Sequence, residues 1–172
     1  MHKGRGRTVI LDLTAVKKEE TRVKRTILYL DDETACVDVF RDMFGDEFDV
    51  RTVTNVSDAR RALTERAADI VISDQRMPDI EGTEFLREVS ERYPSSYRVM
   101  LTGSAMLGDV ICEISNGIVN LFVGKPWMEQ TMRQTLQRAC ASFERRNRGL
   151  AAHAAGAAQA FDAFDAAVSG TT

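Results

Sequence analysis

Four short stretches carry most of the chemistry-bearing residues in this chain, and each follows a run of apolar and β-branched residues. Asp31-Asp32-Glu33 follow TILYL (Thr26–Leu30), and Asp74 follows DIVIS (Asp69–Ser73). Thr102 follows YRVML (Tyr97–Leu101), and Gly124-Lys125-Pro126 follow NLFV (Asn120–Val123). Carboxylates held close together repel one another, and partial burial sharpens the repulsion. A hard divalent cation relieves it. Carboxylate oxygens and water are the ligands Mg2+ prefers, and it commonly coordinates phosphate as well. Lys125 adds a point charge that pairs with a carboxylate or a phosphoryl oxygen, and Thr102 adds a hydroxyl donor. A carboxylate can itself be the nucleophile that accepts phosphorus. Transfer then depends on positioning and charge neutralisation. Convergence of the four stretches would therefore create a site for Mg2+ and a phosphoryl group beside a carboxylate.

The elements that must bring them together are legible as one repeated theme. A short apolar run leads into a polar turn and then into a segment with helical periodicity. A fifth run, FDVRT (Phe48–Thr52), lies between the first and second of those above, and successive runs start about 21–28 residues apart. That is room for a strand and a helix of ordinary length. Three runs lack polar/apolar alternation, as expected of strands covered on both faces. Phe48–Thr52 alternates and is predicted to be an edge strand. Helices are predicted around Cys36, Val37, Phe40 and Phe44, with Gly45 as a stop. A second is expected from a Ser57 cap through Ala59, Ala62 and Leu63. A third runs from a Thr83 cap through Leu86, Val89 and Tyr93 and ends at Pro94. Met106, Val110 and Ile114 mark a fourth, ending near Gly117. In the fifth, Met132, Leu136, Ala139, Cys140 and Phe143 form an apolar stripe, with Arg133, Gln137, Glu144 and Arg148 on the far face. Five such units predict an α/β fold, a parallel sheet with helices on both faces joined by right-handed crossovers. Ligands bind beyond the carboxyl ends of the central strands in such sheets, where the acids, Thr102 and Lys125 stand.

Composition excludes several classes. The 172 residues contain 44% apolar and 28% charged residues, a globular balance. The net charge of -3, from 23 basic and 26 acidic residues, does not suit a chain that wraps nucleic acid. No apolar run is long enough to span a membrane, and the basic start lacks the core of a secretory signal. Cys36, Cys112 and Cys140 are dispersed, and His2 and His153 lie near opposite ends, so neither a disulfide framework nor a histidine-based site is expected. A cytoplasmic protein follows as the expectation. The chain divides into a basic N-terminal extension (1–25), a central domain (26–147) and an Ala-rich C-terminal tail (148–172). VILDLTAV in the extension could add an edge strand. The tail could extend the fifth helix, form a separate self-association helix through Phe161 and Phe164, or be disordered.

The stretches ILYLDDE, VISDQRMPDIEG, VMLTGS and LFVGKPW, in this order and spacing over about residues 25–146, resemble the receiver domain of two-component response regulators. The resemblance implies a flavodoxin-like five-stranded parallel sheet of order 2-1-3-4-5. It implies that Asp74 is the phosphoacceptor, and that Asp31 and Asp32 are the acidic pair for Mg2+. The backbone carbonyl of Arg76 would be a further metal ligand. Thr102 is implied as the switch hydroxyl, Lys125 as the lysine that meets the phosphoryl group, and Phe122 as the aromatic switch. Pro126 is expected in the cis form. The DxRMP and KPW forms look most like receivers attached to HD-GYP phosphodiesterase or AAA+ activator domains. With only about 25 residues after the last helix, a stand-alone receiver is the expectation here. Its implied partners are a histidine kinase or phosphotransfer protein and a downstream protein at the face of the fourth helix, fifth strand and fifth helix; a homodimer is a further possibility. The resemblance implies a phosphoacceptor rather than an enzyme, with self-dephosphorylation only. A non-phosphorylated binding scaffold on the same fold is the alternative. Gly124-Lys125-Pro126 is not the glycine-rich loop of a P-loop enzyme, and Arg76 stands where a haloacid-dehalogenase-like phosphatase needs its second acid. Binding of nucleic acid by residues 1–25 is not favoured.

Overall fold

A computed structural model describes residues 24–103 and 116–169, with the backbone alone at 150, 151 and 153–169. Five strands form one parallel sheet: β1 (Thr26–Leu30), β2 (Asp49–Val53), β3 (Ile70–Asp74), β4 (Tyr97–Gly103) and β5 (Leu121–Lys125). Their order is β2-β1-β3-β4-β5, so the doubly wound sheet expected from the sequence is present. β2 lies at an edge with every residue only partly buried, as its alternating pattern predicts. The described helices are α1 (Thr34–Phe44), α2 (Val56–Glu65), α3 (Gly82–Arg92) and α4 (Glu129–Ser169). The expected helix through Met106, Val110 and Ile114 falls at 104–115, outside the described residues, as do Cys112 and the strand suggested at VILDLTAV.

Residue parity along the strands sorts the core into two layers, because successive side chains leave a strand on opposite faces. Ile27, Tyr29, Ile70, Ile72, Val99 and Leu101 face α1 and α4, meeting Val37, Phe40, Phe44, Met132, Leu136 and Ala139. Leu28, Leu30, Val71 and Met100 face α2 and α3, meeting Val56, Ala59, Leu63, Phe85, Leu86 and Val89. Both faces are covered, which is why the central strands carry continuous apolar runs.

The helix ends follow local chemistry, with two corrections. α2 is capped by Asn55 rather than Ser57: the Asn55 side chain accepts from the Asp58 N–H at 2.8 Å, and its amide donates to the Asp58 carboxylate at 2.8 Å. Asn is as good a cap as Ser, and here it also finds a reciprocal partner. α3 starts at Gly82 after Glu81, so Thr83 lies inside the first turn and is not the cap. Gly45 closes α1 by donating its N–H to the Arg41 carbonyl. Gly117, at φ 71°, occupies the left-handed region that favours glycine.

The apolar stripe of the last helix is present, with Met132, Leu136 and Ala139 fully buried. Its far face is less free than the pattern suggests. Arg133 lies over the Phe44 ring and pairs with Glu129 and Glu47. Glu144 accepts from Arg25 at 3.0 Å. Arg25 also lies over the Phe143 ring and 4.0 Å from Asp69, which ties the end of the basic extension to the domain. The Ala-rich segment continues α4 as one helix to Ser169, despite Gly149 and Gly156. Each of those costs about 1 kcal/mol relative to alanine. No described helix is long and apolar enough to cross a membrane.

Candidate functional site

The parallel sheet brings the ends of β1, β3 and β5 to one edge, and the residues that end these strands meet there. Asp31 follows β1, Asp74 closes β3 and Lys125 closes β5. The Lys125 ammonium pairs with the Asp31 carboxylate at 2.7 Å and also with Asp74. Three residues separated by as many as 94 positions thus share one ion-pair centre. The Lys125-Pro126 peptide is cis, as expected.

Asp31 has no solvent exposure, which costs a carboxylate heavily unless its oxygens are satisfied. Three donors satisfy them. The Tyr29 hydroxyl donates to Oδ2 at 2.5 Å, the Glu33 N–H to Oδ1 at 3.1 Å, and Lys125 to Oδ2. Tyr29 and Asp31 share a face because they lie two apart along an extended chain. Burial first, then the bond to Asp31, raises the Tyr29 phenol well above its ordinary range. Burial alone lowers the Lys125 ammonium, but its bonds to Asp31 and Asp74 outweigh this and raise it.

Asp74 is buried and points back at its own loop: the Arg76 N–H donates to Oδ2 at 2.7 Å. The Ser73 hydroxyl donates to the Asp74 carbonyl at 2.9 Å. Gly82 packs directly over this turn. A Cβ on Gly82 would stand 2.1 Å from the Asp74 carbonyl oxygen, so the close return of α3 to β3 admits only glycine.

Other expected site residues stand nearby without joining the ion pairs. Asp32 is exposed next to Asp31. Thr102 lies on β4 one residue beyond Leu101, which pairs with Asp74, and its hydroxyl donates to the Gly103 carbonyl at 3.2 Å. Phe122 is half-buried and packs against the layer formed with α2 and α3. The Arg76 side chain is exposed.

Two buried acids against one lysine leave excess negative charge, increased by Asp32 and Glu33 at the rim. Carboxylate oxygens are the donors that suit a hard divalent ion such as Mg2+. Ligand atoms of Asp31, Glu33 and Cys36 lie within 4.8 Å of one another. Burial, followed by the charge of Asp31, raises the Cys36 thiol and keeps it protonated, so it adds little to a hard-ion site. Sequence reasoning did not single out Tyr29, Gln75 or Gly82 for the site. The signal for Tyr29 was its period-two relation to Asp31. Gln75 and Gly82 flank a loop whose closure shows only in three dimensions.

Comparison with known proteins agrees in fold and sequence. Residues 27–137 match the model of the response regulator receiver domain. The chain is 34% identical over 114 residues to the hydrogenase transcriptional regulatory protein HoxA of Cupriavidus necator, covering 66% of this chain and 24% of that one. It is 33% identical over 128 residues to the response regulator Rre1 of Synechocystis sp., covering 69% of this chain and 54% of Rre1. The chain therefore spans about a quarter of HoxA and about half of Rre1. A solved receiver domain from Clostridium thermocellum superposes with a TM-score of 0.64 at 26% identity, over 72% of this chain and 97% of that one.

Proposed function

Because the chain belongs to the response regulator receiver family, we propose that it accepts a phosphoryl group from a histidine kinase or phosphotransfer protein onto Asp74, with Mg2+ as cofactor. The single observation that carries the reading is the Lys125 ammonium held between Asp31 and Asp74 at the mouth of the sheet.

An Asp74 carboxylate oxygen attacks phosphorus, the bond from phosphorus to the donor histidine nitrogen breaks, and an acyl phosphate forms. Asp31, Asp32, Asp74 and the Arg76 carbonyl would hold Mg2+, which supplies positive charge to the phosphoryl oxygens when bound. The Arg76 N–H fixes the rotamer of Asp74. Lys125 follows the new charge by keeping its contact with Asp31 while pairing with a phosphoryl oxygen. Thr102, one strand over, turns its hydroxyl from the Gly103 carbonyl to another. Phe122 then moves inward, and the face of β5, α4 and the helix expected from the sequence around Met106, Val110 and Ile114 changes shape. The new charge biases two pre-existing states, and the signal leaves by altered protein contacts, with self-dephosphorylation as the return step. Residues 26–147 form the receiver, residues 1–25 a basic extension and residues 148–172 a tail. The protein works in the cytoplasm.

The full acid and lysine set favours this over a scaffold that is never phosphorylated. Incubation with acetyl phosphate and Mg2+, followed by intact mass, tests it. The wild type gains one phosphoryl group, EDTA abolishes the gain, and Asp74→Asn gains none. Equal labelling of Asp74→Asn contradicts the assignment.

A further inference from the structure

We propose that Gln75 is a positioning residue for this site, its buried amide setting the loop that carries Asp74 and the Arg76 carbonyl. The inference rests on the phosphoacceptor reading above. Gln75 is 7% exposed, although it stands between Asp74 and an exposed arginine. Its side chain does not enter the ion-pair centre. The Oε1 atom accepts from the Thr83 N–H at 3.1 Å and from the Thr83 hydroxyl at 2.8 Å. The Nε2 atom donates to the Glu81 carboxylate at 3.2 Å. All three contacts reach across the loop to the start of α3.

The backbone of the same residue closes the loop a second time. The Gln75 N–H donates to the Leu101 carbonyl at 2.9 Å, and the Gly82 N–H donates to the Gln75 carbonyl at 2.9 Å. Residues 76–81 therefore leave and return at a single buried residue. The first amides of a helix need an outside acceptor, and Glu81, at the cap position, supplies no side-chain bond. Gln75 supplies it instead. The helix start is thus pinned to the residue that follows the phosphoacceptor, and the bond from the Arg76 N–H to Asp74 depends on where that loop sits. Groups that orient metal ligands from behind typically change metal affinity 10–100-fold when removed.

A purely structural glutamine would change stability and leave the folded site alone. Titration of the full chain with MgCl2 by calorimetry, beside urea unfolding of the same samples, separates the two roles. Gln75→Leu keeps the volume and removes every amide contact. The expected result is a Kd for Mg2+ raised about tenfold in a protein that still unfolds cooperatively. The paired exchange Gln75→Glu with Glu81→Gln keeps the acceptor for Thr83 and restores the bond between positions 75 and 81 with its direction reversed, and should return the Kd to within about threefold of wild type. If Gln75→Leu does not fold, Thr83→Val removes the hydroxyl donor alone and should raise the Kd about threefold, a fraction of the full effect. An unchanged Kd in a folded Gln75→Leu or Thr83→Val protein overturns the inference, as does a folded exchange pair no better than Gln75→Leu. Wild-type protein that neither binds Mg2+ nor takes up a phosphoryl group overturns the function itself.

Discussion

An aspartate with no solvent exposure survives in a fold only when its charge is answered, and Asp31 is answered by a phenol, a backbone amide and an ammonium. That arrangement fixes the direction of its pH dependence. The Tyr29 phenol is raised above 10.0, by burial first, and the Lys125 ammonium is raised above 10.5, its carboxylate bonds outweighing burial. For a raised group the stabilisation is complete below the unfolded value and is lost as pH climbs toward the folded one. In EDTA, the urea midpoint should hold steady to about pH 10 and fall beyond it. Tyr29→Phe should cost about 1–2 kcal/mol at neutral pH and flatten the alkaline fall. A wild-type curve as flat as that of the variant would refute the role given to the phenol. Gly82 is constrained as tightly, because a methyl group there meets backbone and not a side chain that can move. Gly82→Ala should lose about 1–3 kcal/mol in urea unfolding and take up phosphoryl more slowly. A variant as stable as wild type would show that α3 can retreat from β3.

Among the elements, the strands were legible because burial on both faces writes a continuous apolar run. Thr26–Leu30 matches β1 residue for residue, and the others shift by one or two positions. The caps were less legible, since Ser57 and Thr83 are good cap types two residues beyond the cap positions, Asn55 and Glu81. At α3 the acceptor for the Thr83 N–H is the Gln75 side chain, eight residues upstream, and no local pattern marks it. Arg98 was equally hidden. It sits within a strand run yet is 4% exposed. Its guanidinium donates to the carbonyls of Ser96, Gly117 and Ile118, at 2.7, 2.9 and 2.7 Å. It thereby holds the chain that enters β5, whose other end carries Lys125. Burial, then the nearby Arg146, lowers the Arg98 guanidinium, and backbone carbonyls carry its contacts. Arg98→Met should destabilise the domain by about 2–3 kcal/mol by stranding those acceptors. Unchanged urea stability would mean that water replaces the guanidinium.

At the scale of the molecule, sheet order does the decisive work. Placing β1 and β3 side by side at the centre, with β5 at the edge, gathers residues 31, 74 and 125 from across the chain. The acids and the lysine were readable as a site because each ends a strand. The donor to Asp31 from Tyr29 and the closure behind Asp74 were not, because both depend on which side chains share a face. In the proposed reaction phosphorus bonds to the carboxylate of Asp74. Borohydride reduction after treatment with acetyl phosphate and Mg2+, followed by peptide mass analysis, reads this directly. The expected product is homoserine at position 74 and nowhere else. Reduction at another aspartate, or at none while phosphoryl mass is retained, would contradict it.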